Sequence, residues 1–283
     1  MDLSVIIVSF NTKDLLRKCL VSVFASKTSY QFEVLVSDNG SHDESPEMVK
    51  ADFPQARLLE NGANLGFSKG NNVALRLAQG RYLLLLNSDT EIAPDALESS
   101  VRYMDKRSDV GILGGKVVLF DGRLDQACRR RFPNPWNSFL RLFGLKRFSD
   151  YNIDAPVDAV MEVDAVMGAY MLIRKSVADK IGLLDEEFFM YGEDLDWCWR
   201  AKEEGFKTVY YPPVKVTHYK YGSSRKIPLV TIKAAHEAMR IFYRKHYAPQ
   251  YNSVLNWLVY AGIFLRMYVV VFLNLFRQKK SVH

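Results

Sequence analysis

The amino-acid sequence predicts an α/β protein whose N-terminal part forms a parallel, doubly wound sheet. Short, mostly continuous apolar runs recur along the first 90 residues, as expected for strands that are covered on both faces. Amphipathic stretches separate these runs, and such alternation is typical of βαβ units. Each run also ends in polar residues, at the side of the sheet where open α/β folds bind ligands.

The apolar runs are LSVIIV (3–8), FEVLVS (32–37), ARLLE (56–60) and YLLLL (82–86). After the first run, five residues fall on one helical stripe: Leu15, Leu16, Cys19, Leu20 and Val23. After the third run, a second stripe ends before Gly80 and contains Val73, Ala74, Leu77 and Ala78. We therefore expect a helix after each of these strands.

Composition sets wide limits on the class of protein. The 283 residues can form one large domain with a short appendage, or two small domains. Cys19, Cys128 and Cys198 are odd in number and far apart, so neither a disulfide framework nor a zinc site is predicted. The net charge of +6 suits nucleic acid, an anionic membrane surface or a phosphorylated ligand, and does not choose among them.

Each of the four apolar runs is followed by a polar segment, its exit from the sheet, and these exits are rich in Asn, Asp, Ser and Gly. They comprise Ser9 and Asn11; Asp38, Asn39 and Ser41; Asn64, Gly66, Phe67, Gly70 and Asn71; and Asn87, Ser88 and Asp89. Single residues of this kind commonly cap helices or form turns. Short βα loops need only one cap each, so all four exits together favour a polar crevice of nucleotide size.

Six ordered motifs carry a resemblance to a known family. They are SVIIVSFN, VLVSDNGSHDES, ENGANLGFSKGNN, LLLLNSDTEI, GLLDEEFFMYGEDLDWCWR and VTHYKYGSSR. In this order the chain resembles family 2 of the inverting nucleotide-sugar glycosyltransferases over about residues 3–225. Within that family it looks most like the bacterial rhamnosyltransferase-like branch, which builds lipid-linked surface polysaccharides.

The resemblance implies an α/β fold of the GT-A type. In that fold a Rossmann-like nucleotide-binding sheet, with helices on both faces, is joined to an acceptor-binding half. We expect a catalytic domain over 1–226, with its nucleotide-binding part at about 1–115 and its acceptor-binding part at about 116–226. Residues 227–283 would then form a helical, membrane-associating extension.

The resemblance also implies a divalent metal, Mg²⁺ or Mn²⁺, beside the donor diphosphate. Asp89 matches the last carboxylate of the family's Asp-x-Asp motif, and a hard cation there would stabilise the departing diphosphate. Asn87 replaces the first Asp of that motif, so strict metal dependence stays open. His218 matches a histidine that completes the metal shell, although a lone His is as often structural.

Three carboxylates near the start of a predicted helix are candidates for the proton-accepting base. The resemblance assigns the base to Asp194, Glu193 would orient it, and Asp196 is the alternative base or an acceptor contact. Acids at a helix start also commonly complement the helix dipole without any catalytic role.

The donor would be a nucleoside diphosphate sugar that binds the polar exits. dTDP-rhamnose is favoured by resemblance and a UDP-sugar is possible. Asp38 would read the pyrimidine or ribose, although Phe67 could equally be a core aromatic residue. Ser223, Ser224 and Arg225 would sit on a loop that closes over the diphosphate, where an Arg suits bidentate contact.

Two segments bear on the acceptor. Residues 254–276 are long enough to span a bilayer but contain Arg266, so an interfacial helix or an oligomer contact explains them as well. Residues 129–148 mix cations with large apolar residues, which is typical of a membrane-interface element. We therefore expect a polyprenyl-diphosphate-linked glycan acceptor, a membrane surface at the cytoplasmic face of the plasma membrane, no nucleic acid, and possible homo-oligomers.

Two other functions compete with glycosyl transfer. A sugar-nucleotide nucleotidyltransferase would need a glycine-rich basic loop after the first strand, and SFNTKDLL has no glycine. A non-catalytic membrane-associated scaffold would be expected to lose its acidic site residues, whereas Asp89 and Asp194 are both present.

Overall fold

A computed structural model describes residues 1–142, 150–219 and 228–276 of the chain. The strands are β1 (Leu3–Ser9), β2 (Phe32–Asp38), β3 (Arg57–Glu60), β4 (Tyr82–Asn87), β5 (Thr90–Ile92), β6 (Val110–Leu119), β7 (Met161–Val163), β8 (Tyr170–Arg174) and β9 (Lys207–His218). The helices are α1 (Lys13–Phe24), α2 (Ser45–Asp52), α3 (Gly66–Leu75), α4 (Ala96–Asp105), α5 (Pro135–Leu142), α6 (Lys175–Ile181), α7 (Glu193–Glu203), α8 (Leu229–His246) and α9 (Ser253–Leu275).

All of these strands belong to one mixed sheet. The order across it is β3-β2-β1-β4-β8-β6-β9-β5, and β7 pairs with β9 outside this path. The first four strands are parallel, with Ile6 of β1 opposite Leu35 of β2 on one side and Leu85 of β4 on the other. β8 joins β4 in the antiparallel direction. The four predicted strands are confirmed as a parallel group, and the sheet beyond β4 is mixed.

The core lies on both faces of the parallel strands. Val5, Ile6 and Ile7 are consecutive in β1 and all fully buried, which requires cover on each face of the sheet. The predicted stripe of α1 buries Leu16, Cys19, Leu20 and Val23. All three cysteines are buried and free, and burial raises the pKa of Cys19 and of Cys198 to about 12.

The second predicted helical stripe was only partly right. α3 begins earlier than expected and ends at Leu75, and the chain then continues through tighter i to i+3 bonds from Leu77 to Ala74 and from Ala78 to Leu75. This change of winding turns Leu77 outward, where it is 37% exposed, while Ala74 and Ala78 stay buried.

The C-terminal helices form an antiparallel hairpin on the catalytic part of the chain. The ring of Phe242 in α8 packs against Trp199 of α7 and against Phe132. α9 returns along α8, and the Tyr243 hydroxyl donates to the Asn256 side-chain oxygen at 2.5 Å. The hairpin therefore packs directly on α7, whose first two residues, Glu193 and Asp194, form an acidic cluster.

Candidate active site

The exits of β1 and β2 are joined by hydrogen bonds at one edge of the sheet. The Asn11 backbone N–H donates to Ser41 Oγ at 2.9 Å, and the His42 N–H donates to Asn11 Oδ1 at 2.8 Å. The Asn39 N–H donates to the Ser9 carbonyl at 2.8 Å. Asn11 adopts a left-handed φ of 52°, which Asn tolerates better than most residues. The exits that the sequence separates by some 30 positions thus form one connected rim.

Asp38 lies at the centre of this rim. Its Oδ2 accepts backbone hydrogen bonds from Gly40 at 3.0 Å and from Ser41 at 2.9 Å. Its Oδ1 is buried and has no hydrogen-bond partner among the described residues. A buried carboxylate oxygen without a partner is costly, so this atom is an acceptor that a ligand N–H or O–H can satisfy.

Several residues of the third exit are already occupied within the protein. Asn39 donates to the Gly66 carbonyl at 2.9 Å and accepts from Asn61 Nδ2 at 2.9 Å. Gly66 has a φ of 79°, and a Cβ there would lie 2.4 Å from the Phe189 carbonyl oxygen. A Cβ on Gly70 would lie 3.0 Å from the Asn39 side chain. Asn39, Gly66 and Gly70, which were predicted to contact the ligand, therefore hold the loops against one another.

The remaining third-exit residues also make internal contacts. The Asn71 side chain donates to the Phe67 carbonyl at 2.9 Å, and Asn64 Oδ1 accepts from the Gly66 N–H at 3.0 Å. Phe67 is half-buried, and a Cβ on Gly168 would lie 3.2 Å from its ring. Phe67 therefore lies beside Gly168, whose N–H donates to Asp194 Oδ2.

Asp89 and His218 lie together although 129 positions separate them. β5 pairs with the end of β9 so that Thr90 lies opposite His218, and the Tyr219 N–H donates to the Asp89 carbonyl at 2.9 Å. His218 Nε2 is 3.0 Å from Asp89 Oδ1, and its Nδ1 is 3.7 Å from Asp125 Oδ2. His218 is buried, whereas the Asp89 side chain is 26% exposed and open to a ligand.

The end of β4 supplies two further polar side chains beside Asp89. Asn87 Oδ1 is buried without a hydrogen-bond partner in the described part of the chain. Ser88 Oγ accepts from the Thr12 hydroxyl at 3.0 Å, and Thr12 lies 3.1 Å from the Ser9 hydroxyl. The exits of β1 and β4 are therefore linked, as those of β1 and β2 are.

Asp194 at the start of α7 forms a buried ion pair with Arg130. Arg130 Nη2 donates to Asp194 Oδ2 at 2.6 Å and to the Val166 carbonyl at 3.0 Å. Asp194 Oδ2 also accepts from the Gly168 N–H at 3.3 Å. The carboxylate is therefore held in one orientation, and Arg130 compensates its charge in a site with little water.

Glu193 is the other buried acid of this cluster. Burial and the neighbouring Asp194 charge raise the pKa of Glu193 to about 8. Its Oε2 is buried without a partner among the described residues. The raised pKa favours the protonated form of Glu193, which can donate a hydrogen bond.

Asp196 has different partners from Glu193 and Asp194. Its carboxylate accepts from Arg200 Nε at 2.8 Å and lies 2.9 Å from His246 Nε2 of α8. Burial opposes its ionisation, but the hydrogen bond from His246 and the charge of Arg200 lower the pKa of Asp196 below its ordinary value. The structure therefore places this predicted alternative base at the contact with α8, outside the acidic cluster.

The family follows from a match between residues 4–182 and the family model described as glycosyl transferase family 2. This match covers more than half of the chain. The chain belongs to glycosyl transferase family 2. The protein is therefore a glycosyltransferase with the predicted GT-A type of fold, and both predictions are confirmed.

Relatives of this glycosyltransferase include two named rhamnosyltransferases. An N-acetylglucosaminyl-diphospho-decaprenol L-rhamnosyltransferase of Mycobacterium tuberculosis is 25% identical, over 98% of this chain and 95% of the relative. The rhamnosyltransferase WbbL of Escherichia coli is 27% identical, over 78% of this chain and 84% of the relative.

A similar solved structure is the mannosyltransferase PcManGT of Pyrobaculum calidifontis in complex with GDP-Man and Mn²⁺. It aligns with a TM-score of 0.59 at 17% identity, over 95% of this chain and 74% of that chain. At this identity the likeness concerns the fold alone.

The donor atoms beside Asp89 fit a divalent cation in this transferase. A carboxylate, an imidazole nitrogen and the unpartnered amide oxygen of Asn87 are all suitable ligands for Mn²⁺. The described residues assemble no group of three or more Asp, Glu, His and Cys ligands. A cation held here would complete its shell with phosphate oxygens and water.

Three residues that contact the predicted site residues were missing from the sequence prediction. Thr12 joins two strand exits, Asp125 lies beside His218, and Arg130 pairs with Asp194. Arg130 belongs to the basic segment that suggests membrane contact, and neighbouring Arg129 is also buried, donating to the carbonyls of residues 155 and 156. The predicted loop residues Ser223, Ser224 and Arg225 lie outside the described residues.

Proposed function

We propose that this glycosyltransferase transfers a sugar, with rhamnose favoured, from a nucleoside diphosphate to a polyprenyl-diphosphate-linked glycan, with inversion at the anomeric carbon. The observation that carries the proposal is that two features lie at one sheet edge: an Asp38 oxygen that has no partner among the residues the structure describes, and the Asp89–His218 pair. The full-length similarity to a rhamnosyltransferase named for a decaprenol-linked acceptor supports the substrate class.

The Asp38 end of the rim binds the nucleoside. Its free Oδ1 accepts a hydrogen bond from the imide N–H of uracil or thymine, or from a ribose hydroxyl. Ser9, Asn11 and Ser41 lie on the same rim and present hydroxyl and amide groups to the sugar and phosphates. A pyrimidine nucleoside diphosphate therefore suits this half of the site. dTDP-rhamnose is the favoured donor, and UDP-sugars are the alternative.

The Asp89 end of the rim holds the diphosphate. Asp89 and His218 would bind Mg²⁺ or Mn²⁺, which when present stabilises negative charge on the departing diphosphate. Because Asn87 replaces a carboxylate, the protein alone offers less negative charge, and the donor's own phosphates become part of the binding site.

The acidic cluster accepts the proton. As the acceptor oxygen bonds to the anomeric carbon, the bond from that carbon to the diphosphate oxygen breaks and its electron pair leaves with the diphosphate. The acceptor hydroxyl proton passes to Asp194, whose Oδ1 bonds only to the Leu195 N–H among the described residues. Arg130 holds the carboxylate in place, and protonated Glu193 offers a hydrogen bond beside it.

The acceptor reaches this cluster from the membrane. α7 opens with the acids and packs through Trp199 on the α8–α9 hairpin, which carries an exposed apolar helix. A polyprenyl chain in the cytoplasmic leaflet of the plasma membrane would bring its diphosphate and first sugars close to α7. This arrangement supports the proposal that the enzyme glycosylates a lipid-linked acceptor at the cytoplasmic face of the membrane.

A transfer assay tests the proposal. The purified full chain is given a polyprenyl-diphosphate N-acetylglucosamine acceptor with dTDP-rhamnose, UDP-glucose, UDP-N-acetylglucosamine or GDP-mannose, and glycolipid product and released nucleotide are measured together. We expect product from dTDP-rhamnose and a loss of at least about 100-fold in Asp194→Asn, in line with removal of a general base. Asp154→Asn, an exposed carboxylate, is the matched control.

Two results would count against the proposal. The lipid-linked acceptor class is wrong if no donor yields glycolipid although the nucleoside diphosphate is released. The assignment of the base is wrong if Asp194→Asn retains full activity.

A further inference from the structure

We infer that the α8–α9 hairpin is a monotopic anchor, in which α9 lies in the plane of an anionic phospholipid surface and does not cross the bilayer. This inference rests on the proposed function, which places the enzyme at a membrane, and deepens it by stating how the chain meets the lipid. It also assigns a role to Arg266, which interrupts an otherwise apolar helix.

The polar residues of α9 beyond its first position all point toward the rest of the chain. Asn256 accepts from Tyr243 and donates to the Ala248 carbonyl at 3.0 Å. Arg266 Nη1 donates to His236 Nε2 at 2.9 Å. Asn274 is 2% exposed. The 10- and 8-residue spacings return these three side chains to one side of a helix with 3.6 residues per turn.

His236 presents a hydrogen-bond acceptor to the Arg266 guanidinium. His236 is buried in α8, and its Nδ1 lies 2.7 Å from the Ile232 carbonyl, so Nδ1 carries the hydrogen and Nε2 is the acceptor. Burial and the charge of Arg266 lower the pKa of His236 and keep the imidazole neutral. Arg266 is therefore held against α8 and does not charge the outer side of α9.

The outer side of α9 is apolar along its whole length. It exposes Val254, Trp257, Leu258, Leu265, Phe272 and Phe276, each by 53% or more. The helix is 23 residues long, its mean hydropathy reaches 1.9 over the most apolar window, and only 6% of that window is buried. Apolar surface of this extent needs cover by lipid or by another protein surface.

Charges on α8 exclude a crossing orientation. α8 runs antiparallel beside α9, with Tyr243 at Asn256 and His236 at Arg266. In that stretch α8 exposes Glu237 and Arg240. A bilayer-crossing α9 would carry these charges into the hydrocarbon core, where a charged side chain is costly. In the plane of the surface they stay at the headgroup level.

Composition favours an anionic lipid surface over a second copy of the chain. Trp257 and Tyr268 are exposed among aliphatic residues, and Trp and Tyr prefer the membrane interface. The net charge is +6, and the sequence continues after α9 with Arg277, Lys279 and Lys280. Basic residues near an anionic leaflet are attracted to its negative surface potential.

A depth measurement tests the orientation. Leu258→Cys, Leu265→Cys and Phe272→Cys lie seven residues apart, about 10 Å per step, and are labelled singly with bimane on the full chain, whose own three cysteines are buried. The proteins bind vesicles of phosphatidylethanolamine and phosphatidylglycerol that contain nitroxide lipids at shallow or deep positions. We expect shallow quenching of equal depth at all three sites.

Two outcomes would overturn the inference. Deep quenching at residue 265 with shallower quenching at both flanking sites would indicate a crossing helix. No quenching, together with dimers in light scattering that Leu265→Glu dissociates, would indicate a second copy as the occupant.

A charge variant provides the matched control. Leu265→Glu should lower vesicle binding at least tenfold, whereas Val21→Glu, on an exposed site of α1, should leave it unchanged. Nucleotide binding is measured on both variants. Because Leu265 lies outside the donor site, unchanged nucleotide binding with a failed depth prediction would reject the anchor alone and leave the proposed transferase reaction intact.

Discussion

Asp38, Asp194 and Asp196 are all buried carboxylates, yet their hydrogen-bond partners give them different roles. Within the described part of the chain, Asp38 has one oxygen without a partner, Asp194 pairs with Arg130, and Asp196 pairs with Arg200 and His246. Residue type and spacing indicated that these acids matter, but local patterns could not predict the partners Arg130 and His246, which lie 64 and 50 positions from Asp194 and Asp196.

Glu193→Gln should change how stability depends on pH. The raised pKa of Glu193 means that the folded state binds more protons than the unfolded state above about pH 4.5, so the wild type loses stability as the pH rises toward 8. Gln does not titrate. We therefore expect the variant to gain at least about 1 kcal/mol over wild type between pH 5 and pH 8, since one pKa unit equals about 1.4 kcal/mol.

Urea unfolding at both pH values measures this effect, and the exposed Glu47→Gln is the control. A stability difference between Glu193→Gln and wild type that is the same at pH 5 and pH 8 would show that Glu193 is not held protonated.

Asn87→Asp should strengthen metal binding in the absence of nucleotide. The Asn87 side-chain oxygen, two positions before Asp89, is buried and has no partner among the described residues. A carboxylate at position 87 would add one negative charge to the site. We expect Mn²⁺ affinity without nucleotide to rise about tenfold or more, as measured by calorimetry. Asn252→Asp adds the same charge at the N-cap of α9 and should have no effect. Equal affinities in wild type and Asn87→Asp would place the cation elsewhere.

At the level of elements, strand pairing assembles the part of the site that sequence separates most widely. β5 and β9 pair so that Thr90 faces His218, which brings the imidazole to Asp89. No local sequence pattern indicates which strand pairs with the one that ends at His218. The resemblance to the family suggested a shared role for Asp89 and His218, whereas Arg130 had no such signal because its neighbours are also arginines.

Phe242→Ala and Phe272→Ala test how the hairpin is attached. Phe242 is 3% exposed between Trp199 and Phe132, whereas Phe272 is 58% exposed on the outer side of α9. Removing a buried phenyl ring costs about 3–5 kcal/mol, and an exposed one usually less than about 0.5 kcal/mol. Denaturant unfolding of both variants without lipid should show this contrast. Similar losses of stability in both variants would mean that the outer side of α9 is covered by protein when no lipid is present.

On the scale of the whole molecule, the parallel half was predictable and the second half was not. Continuous apolar runs such as 3–8 and 82–86 identify buried parallel strands because both faces are covered. β8 and β6 enter the sheet in opposite directions, and no local pattern reports direction. The division at about residues 115 and 226 stays a prediction, since one sheet runs through both proposed parts of the catalytic domain.

The central claim is that one sheet edge binds a pyrimidine nucleoside diphosphate through Asp38 and a metal ion through Asp89. Calorimetric binding of dTDP, UDP and GDP, each with and without Mn²⁺, to wild type, Asp89→Ala and the control Asp154→Asn tests it most directly. We predict Mn²⁺-assisted binding of dTDP or UDP that is retained in Asp154→Asn and lost in Asp89→Ala. Binding of none of these nucleotides, or equal Mn²⁺-assisted binding by Asp89→Ala and wild type, would contradict the account.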